Sequence, residues 1–399
     1  MRILIASDLY WPTTNGVSTF SRNLAQGMSK RGHEVLVIAP SQSGKPHKEV
    51  DENYTIARTA ALPFPFYQNF RISVSPYTEV KKIVTDFKPD VIHVQSPLGI
   101  GRAALNVGKK YGIPVVATNH SMPENLIDNL RLLAPFSKPI NYVIKEYFER
   151  FYGNADYVTL PTKAAIKMFD DMPDITVPLK AVSNGIDLSR FKPQRVDAKF
   201  KKRFNIPTGK PIVMYLGRLD AEKHISTLVK AAHRVMQKMD VHLLIVGSGT
   251  DLDNLKGLVD KMQISDKVTF TGRIEDSDLP IMQNCGDVFG MPSPVELQCI
   301  SMLEAMASGQ PTVAVNVGAV HELCQDGRNG FLSQVDDDEK MADDILKILL
   351  DKDLQKKMGK ESLKIAKTHD ITYTFKEFES IYKDVIKKYI PEGDQDNPF

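Results

Sequence analysis

The chain has 399 residues, 42% of them hydrophobic and 25% charged, a globular composition long enough for two or three domains with a large core. A formal net charge of only +2 excludes nucleic-acid binding by bulk charge, and the absence of any run of about 18 apolar residues excludes a membrane-spanning helix. The sign is uneven, with 25 Lys/Arg against 18 Asp/Glu in residues 1–200 and 26 against 31 in residues 201–399. Unless that asymmetry is accidental, the first half suits an acidic partner, a phosphate or an anionic membrane surface.

In chain order, RILIAS (2–7) reads as a strand, followed by a helical pattern near 18–31. The apolar start is too short for a signal peptide, so a cytoplasmic protein is expected. EVLVIAP (34–40), DVIHVQ (90–95), IPVVATNH (113–120) and DYVTLPT (156–162) read as further strands, with helical patterns near 76–88, 99–111 and 163–170 between them. Continuous β-branched runs alternating with helices predict parallel strands buried on both faces, the pattern of a doubly wound α/β sheet.

The segment 181–211, rich in turn residues, prolines and charge, reads as a linker. The pattern then restarts with IVMYLGR (212–218), VHLLIVGSG (241–249), KVTFTGR (267–273), DVFGMPS (287–293), PTVAVN (311–316) and GFLSQV (330–335). Two Rossmann-like domains in tandem follow, 1–195 and 205–371, facing a cleft, with the helical pattern 372–390 packing back on the first. Ligands of such sheets bind outside the carboxyl ends of the strands. Three cysteines, Cys285, Cys299 and Cys324, lack metal-like spacing and read as buried thiols of a reducing compartment.

SPVELQCISMLEA (293–305) holds two acids, Glu296 and Glu304, in apolar surroundings. Pro292 and Pro294 disfavour an earlier helix start, so LQCISMLEAMASG predicts a helix ending at Gly309, with Glu296 at or before its N-terminus and Glu304 about two turns in. Backbone N–H groups at Leu297, Gln298, Cys299 and Ile300 would then form an anion site, and carboxylates accept paired sugar hydroxyls well. By itself the spacing equally fits a helix cap and a solvated Glu304. YLGRLDAEKHI (215–225) places Arg218 and Lys223 after the first strand of the second domain, a fork and a point charge for phosphate. Gly247 in VGSG and Gly16 in TNGVSTF mark glycine turns where a ligand could near the backbone. His120 ends a strand at the mouth of the expected cleft.

Taken together, NGIDLSRFKP, GRLDAEKHI, VGSG, VTFTGRI and SPVELQCISMLEAMASGQPTVA resemble the retaining glycosyltransferases of family four, with the GT-B fold, over essentially the whole chain. The resemblance implies a nucleotide-sugar donor on the second domain and an acceptor on the first. It implies that Arg218 and Lys223 hold the donor diphosphate, that Glu304 accepts the ribose hydroxyls and that Glu296 binds the transferred sugar. Backbone near Arg273 and Ile274 would hold the base, His120 would lie near the reacting carbon, and Gly16 would clear space for the phosphates. No metal and no resident cofactor are implied, a UDP-hexose serving as co-substrate; DLD (251–253) and DSD (276–278) are expected to be helix-start acids. The chain departs from many relatives at Leu297, Gln298 and Cys299, and at His224, where Gly or Asn is frequent.

In 131–153, Ile140, Val143, Ile144, Tyr147, Phe148 and Phe151 recur at helical spacing with Arg131, Lys138, Lys145 and Arg150 interleaved. Such a helix either lies in an anionic membrane interface or packs on its own sheet. The N-terminal pattern resembles glycolipid-forming members, the diacylglycerol glucosyltransferases and phosphatidylinositol mannosyltransferases. The reading is a hexosyltransferase, glucose foremost, acting on a lipid such as diacylglycerol at the cytoplasmic membrane face. Its alternatives are transfer to a soluble sugar or exopolysaccharide, and, on the same architecture, a sugar-nucleotide epimerase or a non-catalytic binder.

Overall fold

The structure, a computed structural model, describes residues 1–13, 15–64, 70–120, 137–167, 169–170 and 172–389, with the backbone alone at 137–141. It divides into two compact units: Met1–Asn184 together with the stretch beginning at Thr372, and Gly185–Ile371.

In the first unit the strands are β1 (Arg2–Ala6), β2 (Glu34–Pro40), β3 (His47–Asp51), β4 (Tyr54–Thr59), β5 (Ala61–Pro63), β6 (Arg71–Ser73), β7 (Val91–Val94), β8 (Val115–Thr118), β9 (Tyr157–Leu160) and β10 (Leu179–Ala181). Eight of them form one sheet, ordered β10-β9-β8-β7-β1-β2-β4-β3. All neighbours are parallel except β3 with β4. β1 is central, pairing Ile3 with Val35 on one side and Val91 on the other. Its Ile3, Leu4, Ile5 and Ala6 are fully buried, as an uninterrupted apolar run between two helical layers must be.

The sequence reading lacked β3 and β4. β4 escaped because its apolar run is broken by Arg58, a buried arginine whose guanidinium donates to Glu49 at 2.7 Å and to the Trp11 carbonyl at 2.6 Å. A separate hairpin, β5 with β6, was also unread.

The last helix, Ile371–Tyr389, belongs to this first unit from Thr372 onward. Phe378, Ile381, Tyr382 and Val385 join Ile3, Val91 and Val116 in its core. Tyr382 Oη lies 2.7 Å from His93 Nδ1, and His93 Nε2 lies 2.6 Å from Thr118 Oγ1. Burial drives the His93 pKa well below its usual value, so this imidazole is a neutral link between helix and sheet.

The second unit holds β11 (Ile212–Leu216), β12 (His242–Val246), β13 (Val268–Phe270), β14 (Val288–Met291), β15 (Thr312–Val315) and β16 (Gly330–Ser333), all parallel, in the order β13-β12-β11-β14-β15-β16. Strand order reverses between β11 and β14, and such a switch point opens a crevice at the strand carboxyl ends.

Two boundaries differ from the sequence reading. Residues 185–195, read with the first domain, fall in the second unit, where Ile186 and Phe191 enter the core. The segment 181–211 is not a bare linker: Phe200, on the helix Ala198–Arg203, and Ile206 are buried in the same core. The charge asymmetry shrinks accordingly, to 25 Lys/Arg against 22 Asp/Glu in the first unit and 26 against 27 in the second.

Because Phe378 is fully buried among core side chains, Phe378→Ala should lower stability by about 3–5 kcal/mol, read as a lower urea midpoint.

Candidate active site

The second unit gathers most of the sequence-derived candidates at its switch point. β11 runs out into Gly217, Arg218 and the short 3-10 helix Ala221–Lys223. β14 runs out into Ser293–Cys299 and then the helix Ile300–Ala307. Adjacency of β11 and β14 brings residues 73 apart in sequence together: Lys223 Nζ lies 2.8 Å from Glu296 Oε1. Both side chains are largely buried, at 13% and 15% exposure, so the pair is held tightly in a low-dielectric setting.

The helix begins later than its sequence pattern indicated. Cys299 is extended (φ −78°, ψ 96°) and caps a helix whose first residue is Ile300. Glu296 therefore lies in the loop four residues ahead of that helix, and Glu304 is its fifth residue rather than two turns in. Pro294 keeps the preceding residue out of helical conformation. Leu297, Gln298 and Cys299 are buried in that loop. Burial, then the nearby Glu296 charge, push the Cys299 thiol well up, so it stays protonated.

Glu304 is only partly exposed. Its carboxyl accepts from Gln283 Nε2 at 3.2 Å. Loss of water pushes its pKa up to about 7, against the opposing pull of Gln283 and Arg190. A carboxyl so poised exchanges its proton near neutrality.

Arg218 is held at both ends of its guanidinium, Nη1 by Asp220 and Nη2 by Glu222 at 2.5 Å. The buried Tyr215 hydroxyl donates to the Arg218 carbonyl at 2.9 Å, fixing the turn beneath it. His224 takes φ +49°, a left-handed conformation that suits Gly or Asn better. It is held there by Asp336 Oδ1, 2.8 Å from its Nδ1.

Gly247 has a reason the sequence did not reveal. At φ +138°, a Cβ there would stand 1.9 Å from the Gly217 carbonyl oxygen. The β11 and β12 exit loops pack backbone on backbone, with Leu219 N donating to Ser248 O at 3.0 Å. The glycine is thus required by the protein itself, whatever ligand approaches. Arg273 is exposed and Ile274 packs on the core after β13. Asp251 and Asp278 do precede helices, and Asp276 and Asp278 are paired with Arg190 and Arg203.

Two candidates, Gly16 and His120, lie on the first unit. Gly16 opens the helix Gly16–Lys30, capped by Asn15, whose side chain accepts from Ser18 N at 2.8 Å. Phe20 of that helix packs on the His120 ring, centroids 4.9 Å apart. His120 Nε2 lies 2.9 Å from Gln95 Oε1. Burial lowers the His120 pKa to about 3, which keeps the ring neutral.

Sequence reasoning missed Gln95 and Asp8. Asp8 is buried beyond β1, accepting from Ile100 N at 2.8 Å, Gly101 N at 3.1 Å and Ser96 Oγ at 2.7 Å. It caps the helix Gly99–Tyr111. An acid directly after a buried strand was the available signal. Of the amphipathic stretch 131–153, residues 131–136 lie outside the described residues. In the helix Ser137–Gly153, Phe148 and Phe151 are buried. Tyr142 and Val143 remain 68% and 62% exposed. Most of the described face packs on its own unit.

Two substitutions test this geometry. Gly247→Ala should destabilise the second unit strongly, seen as loss of its unfolding transition at the wild-type temperature. Glu304→Gln should stabilise it at high pH. A folded pKa near 7 against about 4.5 unfolded means ionised Glu304 is disfavoured in the fold, so wild-type stability falls as pH rises from about 4.5 to 7. The variant's advantage should grow across that window to at most about 3 kcal/mol, checked by urea unfolding at pH 5 and 8.

The description "Glycosyltransferase Family 4" matches residues 14–190, and "Glycosyl transferases group 1" matches residues 196–364. Among curated relatives, alpha-monoglucosyldiacylglycerol synthase of Streptococcus pneumoniae is 26% identical over 83% of this chain and 75% of its own length. A GDP-mannose-dependent alpha-mannosyltransferase of Mycolicibacterium smegmatis is 27% identical over 84% and 85%. In fold, sucrose-phosphate synthase from Thermosynechococcus elongatus aligns with a TM-score of 0.77 at 20% identity, covering 97% of this chain and 99% of that one. Two matching family halves on two Rossmann-like units make this chain a family 4 glycosyltransferase of the GT-B fold.

Proposed function

We propose that the protein transfers glucose from UDP-glucose to a hydroxyl of a membrane lipid such as diacylglycerol, with retention at the anomeric carbon and without a metal. The observation that carries this reading is the Lys223–Glu296 pair at the second unit's switch point. It sets a cation for diphosphate beside a carboxylate for sugar hydroxyls.

Arg218 and Lys223 neutralise the departing diphosphate, the charge that grows in the transition state. Glu304 accepts from the ribose hydroxyls, and Glu296 from those of the transferred sugar. Backbone at Arg273 and Ile274 holds the base. On the first unit, Gly16 leaves room for phosphate and neutral His120 contacts the sugar near the reacting carbon. Attack comes on the face the diphosphate leaves, and a donor phosphate oxygen takes the acceptor proton.

The lipid acceptor is supported by relatives named as alpha-monoglucosyldiacylglycerol synthases, from Streptococcus pneumoniae and Acholeplasma laidlawii, the latter 26% identical over 97% of this chain. Exposed Tyr142 and Val143 on the helix Ser137–Gly153 offer apolar surface to a membrane. Among the described residues no helix is long and apolar enough to cross one, which fits a peripheral enzyme. A soluble acceptor is the second reading, favoured by a relative named N-acetyl-alpha-D-glucosaminyl L-malate synthase, 23% identical over 97% of this chain.

The deciding assay gives purified protein UDP-glucose or GDP-mannose, with and without vesicles of diacylglycerol and anionic lipid. A lipid-soluble α-glucoside formed from UDP-glucose only with vesicles is expected. Product from GDP-mannose alone, or product without lipid, would overturn the donor or the acceptor respectively. Lys223→Ala and Glu296→Ala should each lower turnover by at least about 100-fold, since each also leaves the other's charge buried and unpaired. Retained turnover in both would remove the site assignment.

A further inference from the structure

The two acids that grip Arg218 differ in what else they do. Asp220 Oδ1 accepts from Thr250 N at 3.0 Å and Thr250 Oγ1 at 2.9 Å, so Asp220 also ties the β11 exit to the β12 exit. Glu222 has a narrower role. Its carboxylate receives Arg218 Nη2 at 2.5 Å, and that is its one hydrogen bond among the described residues. Its side chain is only 12% exposed, against 38% for Arg218. An acid bearing one partner and little water is held where it is by that partner.

We infer that Glu222 is a positioning residue for the donor diphosphate, fixing the plane of the Arg218 guanidinium before donor arrives. This rests on the reading of Arg218 as a diphosphate ligand. The opposite role would be a competitor that donor phosphate must displace from Arg218. The geometry decides against competition. A guanidinium carries five N–H donors in a rigid fork, and Asp220 and Glu222 each engage one terminal nitrogen of it. Displacing Glu222 would strand a nearly buried carboxylate without a partner, which is strongly unfavourable. The clasp therefore persists in the donor complex. It spares the diphosphate the entropy of ordering a long, half-exposed arginine.

Residue position adds to the argument. Glu222 lies on the same 3-10 turn as Lys223, whose Nζ is fixed by Glu296. Both cations are thus pre-set by acids, Lys223 from across the switch point and Arg218 from within its own loop.

The test is calorimetric binding of UDP and GDP, side by side, to the full chain and to Arg218→Ala, Glu222→Ala, Glu222→Gln and the Arg218→Ala/Glu222→Ala double variant. Glu222→Ala should raise the Kd of the nucleotide that binds by about tenfold. Glu222→Gln should recover part of that loss, because its amide oxygen still accepts from Nη2. In the Arg218→Ala background, Glu222→Ala should add less than about twofold, the signature of a residue that acts through its partner. An unchanged or lowered Kd for Glu222→Ala overturns positioning, a lowered one establishing competition. An undiminished effect without Arg218 also overturns it, showing that Glu222 supports the loop alone. If Arg218→Ala leaves Kd unchanged, or if neither nucleotide binds the wild type, the donor-site reading itself fails and takes this inference with it. Thermal unfolding of each variant separates lost binding from lost fold.

Discussion

The adjacency of β11 and β14 is the constraint from which the arrangement of the second unit's loops follows. In a parallel sheet the chain must choose a direction at each crossover, and where that choice reverses, two strand exits open side by side with no connection covering them. Here those exits carry Lys223 and Glu296, and their 2.8 Å contact closes a charge pair that neither loop could hold alone. Removing either partner leaves the other charged and short of water. The pair therefore ties loop conformation to site chemistry.

Packing around the pair shows how little freedom these loops have. The β11 exit lies directly on the β12 exit, so Gly217 and Gly247 meet backbone to backbone. His224 is held in a left-handed conformation by Asp336. Glu304 sits partly buried beside Gln283, its pKa raised to about 7. Each of these carries a local energetic cost, and sites assembled for binding commonly concentrate such costs.

The first unit uses its polar groups differently. Asp8 spends its carboxylate on backbone amides of the helix Gly99–Tyr111, and His93 is neutral, bridging sheet and final helix. His120, kept neutral by burial and paired with Gln95, stands at the exit of β8. In the described part of the amphipathic stretch Phe148 and Phe151 are buried, while Tyr142 and Val143 are exposed. Periodicity reports that a helix has an apolar face; it does not report what covers that face.

What the sequence determined by itself was local or strongly patterned. The central strands were legible because ILIA (3–6) and LLIV (243–246) are uninterrupted apolar runs, as burial on both faces requires. The ordered motifs also offered Arg218, Lys223, Glu296 and Glu304 as candidates without coordinates. Only the tertiary structure decided the rest. β4 was hidden by a buried arginine that the fold pairs with Glu49 on the neighbouring strand and with the Trp11 carbonyl far back in the chain. Residues 185–195 looked like the first domain's tail, yet Ile186 and Phe191 fill the second core. The steric need for Gly247 and the partial burial of Glu304 beside Gln283 arise from neighbours well removed along the chain. Spacing records which residues share a face of one element, whereas contact, burial and pKa depend on which elements the fold sets beside it.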